Sequence, residues 1–347
     1  MTKVHQRDRM KTYDGSKSLK RSMIDAQGRE ITYLRLSVTD RCDLRCRYCM
    51  SDTMRFMPSS DRLNVDELDQ LAAAFIRRGI RTIRVTGGEP LLRKGILSLL
   101  TRLGNRLERG ELDELTLTTN GTQLGRFASR IAAAGIRRIN VSLDHLHPDQ
   151  FEFITRGGDI TQVIDGLRAA ADAGLHVKIN VVAIRDFNVD HIADLMLWAH
   201  GQGYDLSVIE SMPMGDVGED RGLMFANVQD VKDRLTERFT LTPSPHQTSG
   251  PSRYFDVDET GGRVGFISPL SDHFCASCNR VRLTCSGRLH PCLGDDGSVD
   301  LRAVMRTGDD LDMAIDRALR RKPLRHTFDV LQPGQLSSAR HMSVTGG

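Results

Sequence analysis

The chain has 347 residues, 39% of them hydrophobic, with 48 Lys and Arg against 45 Asp and Glu for a net charge of +3. That length exceeds one ordinary domain and suits a large unit with a smaller appendage. The near balance of charge argues against nucleic acid as a partner, and the lack of any run of 18 apolar residues argues against a membrane helix.

Residues 1–22 are polar and basic, with no apolar stretch of the kind a signal peptide needs, and are expected to form a mobile N-terminal extension. Seven cysteines in a chain without such a signal suit a reducing, cytoplasmic setting, where thiols serve as metal ligands more readily than as disulfides. From residue 31 onward strand and helix patterns alternate. Strands are expected at 31–38, 80–86, 114–119, 137–143, 176–184 and 204–210. Helices are expected at 65–79, 94–108, 123–135, 160–174 and 188–201, the first opened by Asn64 as N-cap and closed by Gly79. Strand-then-helix rhythm implies parallel strands joined by crossover helices. Six such units are too few to close an eight-stranded barrel, so the expected class is α/β, an open partial β/α barrel over 23–215. A C-terminal domain, 216–347, is expected to hold a helix at 227–238, a hairpin at 252–268 turning at Gly261–Gly262, a loop at 273–292, and helices at 300–306 and 308–320.

In such folds chemistry sits at the carboxyl ends of the strands. Cys42, the segment Gly87-Gly88-Glu89-Pro90, the segment Thr118-Thr119-Asn120-Gly121, Ser142, Asp144 and Met212 all fall there.

The cysteines form two triads. Cys42, Cys46 and Cys49 are spaced C-x3-C-x2-C, and Cys275, Cys278 and Cys292 are spaced C-x2-C-x13-C, leaving only Cys285. A closed zinc tetrahedron needs four ligands. A distant His or Asp would have to complete the first set, whereas Cys285 offers itself to the second. Iron–sulfur clusters are also held by thiolates, and three cysteines on a four-iron cluster leave one iron free to take another molecule.

The spacing of the first triad, with Tyr48 before its last cysteine, resembles the radical S-adenosylmethionine superfamily, and Thr86–Pro90 resembles that superfamily's glycine-rich strand end. The second triad, within FCASCNRVRLTCSGRLHPCL (274–293), is similar to the GTP 3′,8-cyclase family of molybdenum-cofactor biosynthesis. LRLSVTDRC (34–42), IRVTGGEPLLR (83–93), LTTNGT (117–122), NVSLD (140–144), VKINVV (177–182), MPMG (212–215) and the final Gly346–Gly347 agree with it. The resemblance spans residues 23–347.

It implies two 4Fe-4S clusters, one whose open iron binds S-adenosylmethionine and one whose open iron binds GTP. It assigns S-adenosylmethionine contacts to Tyr48, Gly88, Ser142 and Met212, with charge from Glu89. GTP contacts fall to Arg35, Arg84, Thr118, Lys178, Arg280 and Arg282, and Gly346 and Gly347 thread the active site as a tail. The implied reaction removes the ribose 3′ hydrogen, joins that carbon to C8 of guanine, and yields (8S)-3′,8-cyclo-7,8-dihydroguanosine 5′-triphosphate. The implied partners are an electron donor such as flavodoxin or ferredoxin, a downstream cyclic pyranopterin monophosphate synthase, and a second copy in a homodimer. Asp43 stands where the family commonly has asparagine, and Ser211 where it has an aromatic residue. Two rivals remain open here: a peptide-maturing radical S-adenosylmethionine enzyme, and a non-enzymatic iron–sulfur or zinc protein.

Overall fold

A computed structural model describes residues 22–218, 221–272, 274–328 and 338–346. Six strand–helix units run in order: β1 (Tyr33–Ser37), α1 (Val65–Arg77), β2 (Thr82–Thr86), α2 (Ile96–Glu108), β3 (Glu114–Thr119), α3 (Leu124–Ala133), β4 (Arg138–Ser142), α4 (Pro148–Thr155), α5 (Ile160–Asp172), β5 (His176–Ala183), α6 (Ile192–Gly201) and β6 (Asp205–Glu210). Strands β1 to β6 pair in that order, all parallel. The fold is the open partial barrel that the alternation predicts.

Local chemistry sets these elements. Asn64 caps α1 through a reciprocal capping box with Glu67, with the Glu67 amide donating to Asn64 Oδ1 at 2.8 Å and the Asn64 amide donating to Glu67 Oε2 at 2.8 Å. Its apolar face, Leu68, Leu71, Ala72 and Phe75, is fully buried. Along each strand alternate residues differ in kind. Leu34, Leu36, Ile83, Val85, Leu115, Leu117, Ile139, Val141, Ile179 and Val181 belong to the buried core, each contributing about 1.5–3 kcal/mol by leaving water. The residues between them are polar and form the other face.

The remaining elements are α7 (Arg221–Met224), α8 (Val228–Thr236), β7 (Leu241–Pro243), β8 (Arg253–Val257), β9 (Gly262–Ile267), β10 (Arg280–Leu283), β11 (Arg288–His290), β12 (Val299–Asp300), α9 (Leu301–Thr307), α10 (Leu311–Arg320) and α11 (Met342–Thr345). They do not form a separate sheet. β9 joins β6 in parallel and β10 joins β1 in parallel, so the described strands make one sheet of order β12-β11-β10-β1-β2-β3-β4-β5-β6-β9-β8-β7.

Several local expectations change. Residues 273–292, expected as a loop, contain β10 and β11; β10 is four residues long and is held between β11 and β1, the latter a contact no local pattern reveals. α4 was not expected, since eight residues hold barely two helical turns, and neither was the three-residue β7. The helix expected from 188 begins as a 3-10 turn at Val189–His191 before α6. Residues 1–21 and Gly347 lie outside the described residues, and no described helix is long and apolar enough to cross a membrane.

Candidate active site

The polar strand face lines one cavity with about 1920 Å³ of space free of protein atoms, including its opening to solvent. All six triad cysteines line it, as do Arg35, Arg84, Thr118, Asn140, Ser142, Lys178, Asn180, Met212, Arg280, Arg282 and Lys322. The two triads, 226 positions apart from Cys49 to Cys275 in sequence, thus face a single space.

Strand register places the cations. Arg35 stands opposite Arg84 on β2 and opposite Arg282 on β10, so three guanidinium groups lie side by side on neighbouring strands. Burial drives Arg35 down to about 10, with Arg84 and Arg280 adding repulsion. Burial likewise drives Arg282 well below its ordinary value, with Arg35 the next cause. Arg84 is buried, and its Nε and Nη2 have no hydrogen-bond partner among the described residues. Lys178, aligned with Asn140 on β4, donates to the Tyr254 hydroxyl at 3.1 Å. Burial lowers it to about 8, and Arg84 adds to the effect against the raising influence of Tyr254. Like charges gathered away from water repel each other unless an anion joins them. Guanidinium forks match phosphate oxygens in particular.

The first triad sits on the loop after β1. Its Cys49 and Met50 amides both donate to the Cys46 carbonyl, at 2.8 and 3.2 Å, folding the loop back on itself. α4 holds the loop from behind. The Arg45 amide donates to the Thr155 carbonyl and the Arg47 amide to the Ile154 carbonyl, both at 2.9 Å, while Arg156 Nη1 reaches the Met50 carbonyl at 2.9 Å.

The glycine-rich turn after β2 lies directly against this loop. The Gly88 amide donates to the Thr39 carbonyl at 2.7 Å, and the Glu89 amide to the Arg41 carbonyl at 2.7 Å. A Cβ at Gly88 would stand 2.7 Å from Arg41 C and 2.8 Å from Asp40 O, so no larger residue fits. Glu89 does not supply charge to the cavity as expected. It is fully buried, and its oxygens accept from the Leu91 amide, Thr119 Oγ1 and the Asn120 amide at 2.7–2.9 Å. Burial raises its carboxyl to about 7 against those bonds. It fastens the β2 turn to the end of β3.

Tyr48 donates through its hydroxyl to Asp144 Oδ2 at 2.7 Å, and Asp144 Oδ1 accepts from the Val182 amide at 2.8 Å. Burial raises Asp144 to about 6. Burial also pushes up the Cys42 and Cys46 thiols, helped by Glu89 for Cys42 and by Cys49 for Cys46. A metal centre overcomes such a rise by taking the place of the proton.

In the second triad burial raises Cys292. Burial would raise Cys278 as well, but the Lys322 ammonium and then Arg280 bring it down to about 7. Cys285 does not share this cavity. It is fully buried, off the cavity wall, with its sulfur 3.9 Å from Met57 Sδ, and burial pushes its thiol up to about 12.

The C-terminal segment closes over the site. Met342 and Ser343 line the cavity, and Arg282 Nη1 donates to the Thr345 carbonyl at 3.3 Å and to the Gly346 carbonyl. Gly346 lies against Thr86 at φ +78°, where a Cβ would strike the Thr86 side chain.

The residues present fit iron–sulfur clusters together with an anionic nucleotide. Three soft thiol donors stand in each set, and the cations line the same cavity. Thr118 Oγ1 and both polar atoms of the Asn140 side chain are buried without hydrogen-bond partners among the described residues. Asn140, Asn180 and Lys322 were not singled out from the sequence. For the two asparagines the signal was available: in INVS and VKINVV they hold the polar positions of the alternation.

Comparison with known proteins agrees with this geometry. Residues 36–199 match the radical SAM superfamily, and residues 204–328 match the family described as Molybdenum Cofactor Synthesis C. A protein of Rhizobium meliloti named GTP 3′,8-cyclase is 54% identical over 329 residues, 94% of each chain. One of the same name from Brucella canis is 52% identical over 94% of this chain and 96% of its own. Among solved structures, Streptococcus suis SuiB bound to S-adenosylmethionine superposes with a TM-score of 0.57 over 83% of this chain and 68% of its own. At 15% identity that likeness is one of fold.

Proposed function

The chain belongs to the GTP 3′,8-cyclase family of radical S-adenosylmethionine enzymes, and on that premise we propose that its one cavity holds S-adenosylmethionine and GTP together and cyclises GTP in the first step of molybdenum-cofactor biosynthesis. The observation that carries the reading is that both thiol triads and the row of guanidinium groups open onto the same space.

In this reading Cys42, Cys46 and Cys49 hold one 4Fe-4S cluster, and Cys275, Cys278 and Cys292 hold the second. The first, when bound, supplies the electron that cleaves S-adenosylmethionine and so generates the species that takes the ribose 3′ hydrogen. Gly88, Ser142, Met212 and the Tyr48 backbone position S-adenosylmethionine, since the Tyr48 hydroxyl is engaged by Asp144. Arg35, Arg84, Arg282 and Lys178 bind the triphosphate, which relieves the repulsion their burial creates. Thr118, with its hydroxyl unpartnered, and Arg280 complete the nucleotide contacts. The tail through Gly346 lies over the reactants and, with Met342, keeps water out. Residues 23–215 provide the barrel and 216–347 the second triad and the tail. A small redox protein such as a flavodoxin or ferredoxin supplies electrons, the product passes to a cyclic pyranopterin monophosphate synthase, and the enzyme works in the cytoplasm as a homodimer.

The test is anaerobic incubation of the iron-loaded chain with S-adenosylmethionine, dithionite and GTP, followed by mass spectrometry. The expected result is 5′-deoxyadenosine whose yield depends on GTP, with a product of the mass of 3′,8-cyclo-7,8-dihydro-GTP. A yield indifferent to GTP but raised by a peptide overturns the reading, as does a chain that binds zinc in place of iron and sulfide.

A further inference from the structure

Lys322 follows α10, and its residue is 2% exposed. Its ammonium donates to the Cys278 sulfur at 3.6 Å, the Arg280 carbonyl at 2.9 Å and the Pro291 carbonyl at 2.7 Å. Arg280 lies two residues after Cys278, and Pro291 immediately precedes Cys292. One side chain therefore ties together both arms of the second cysteine loop.

Among the described residues no carboxylate pairs with this ammonium. A cation so far from water is unfavourable unless an anion stands beside it, and carbonyl groups offer dipoles rather than charge. Of its three acceptors the Cys278 sulfur is the one that belongs to the triad itself. The first triad is served differently. There Cys42 Sγ accepts from a neutral amide, Asn120 Nδ2 at 3.6 Å, and that amide also serves Asp43 Oδ1 at 2.7 Å.

We propose that Lys322 is the positioning residue of the second triad: its charge and three hydrogen bonds hold the Cys278 and Cys292 arms of the loop together and raise the reduction potential of the centre held there. A positive charge against a ligating sulfur stabilises the extra electron of the reduced state, and hydrogen bonds to ligating sulfurs act in the same direction. The inference rests on reading Cys275, Cys278 and Cys292 as cluster ligands.

The experiment is an EPR-monitored redox titration of the full chain carrying C42A, C46A and C49A, so that only the second centre reports, with and without Lys322→Met. The midpoint is expected to move to a more negative value in Lys322→Met and to return towards the parent value in Lys322→Arg. In the mirror background, C275A with C278A and C292A, Lys322→Met is expected to leave the first centre's midpoint unmoved. Loss of about half the iron in Lys322→Met, restored in Lys322→Arg, supports the same role for the charge. Loss in both variants reduces Lys322 to packing and overturns the proposal. So does an unmoved midpoint at full iron content. A parent chain with no iron–sulfur signal at the second triad is a separate failure, that of the ligand reading itself.

Discussion

Lys178→Met is expected to make the ligand-free protein more stable and the GTP complex weaker. Lys178 is held at about 8 against an ordinary 10.5, chiefly by burial. At about 1.4 kcal/mol per pH unit, keeping it charged in the fold at pH 7 costs about 3 kcal/mol. Methionine removes that cost and forfeits the bond to the Tyr254 hydroxyl, worth about 1 kcal/mol. The net gain is about 2 kcal/mol, a rise of about 3 °C in the melting midpoint for a chain of this size. The sign follows from linkage. Because the folded value is lowered, the penalty is complete below about pH 8 and fades between pH 8 and 10.5 as the folded lysine loses its proton. The advantage of the variant is therefore full at pH 7 and gone by about pH 10.5. Bound GTP reverses the balance, since a lost charge-assisted contact of about 1.5–3 kcal/mol weakens binding about 10- to 100-fold. Differential scanning fluorimetry of the ligand-free chain and calorimetric titration with GTP, each at pH 7 and pH 9, measure both effects. A variant that melts below the parent at pH 7, or binds GTP as tightly, refutes the argument that this cation is held in reserve for an anion.

Gly88→Ala should lower stability by about 1–3 kcal/mol, because its methyl group would meet the Asp40 and Arg41 backbone; thermal unfolding checks this, and iron content and 5′-deoxyadenosine yield should fall with it. Cys285→Ala should leave iron at the parent level, since Cys285 packs against Met57 off the cavity wall, whereas Cys278→Ala should remove about half of it; iron analysis after anaerobic reconstitution decides. Gly346→Ala should reduce GTP-dependent turnover at least about tenfold, equivalent to about 1.4 kcal/mol, because the added carbon strikes Thr86 and shifts the carbonyl bound to Arg282; its melting midpoint should stay near the parent's, and a variant of normal turnover would remove the tail from the mechanism.

Much of this protein is written along the chain. The strand–helix alternation demands a parallel open barrel, and the cysteine spacings single out both triads. The polar half of each strand repeat in IRVT, INVS and VKINVV already marks the residues that line the cavity. These features are local: a period of two, a capping residue or a fixed spacing needs nothing but its neighbours. Other decisions belong to contacts between distant segments. β10 pairs with β11 on one side and with β1 on the other, and the pairing with β1 sets Arg282 in line with Arg35 and Arg84. α4, too short to announce itself, earns its place by accepting the amides of the first cysteine loop. Glu89 and Cys285 looked functional in sequence, and burial turned one into a clamp and the other into core. Lys322 sits in an unremarkable run of basic residues until α10 brings it against Cys278. Spacing along a chain states which groups are available, while burial and strand register decide which of them meet.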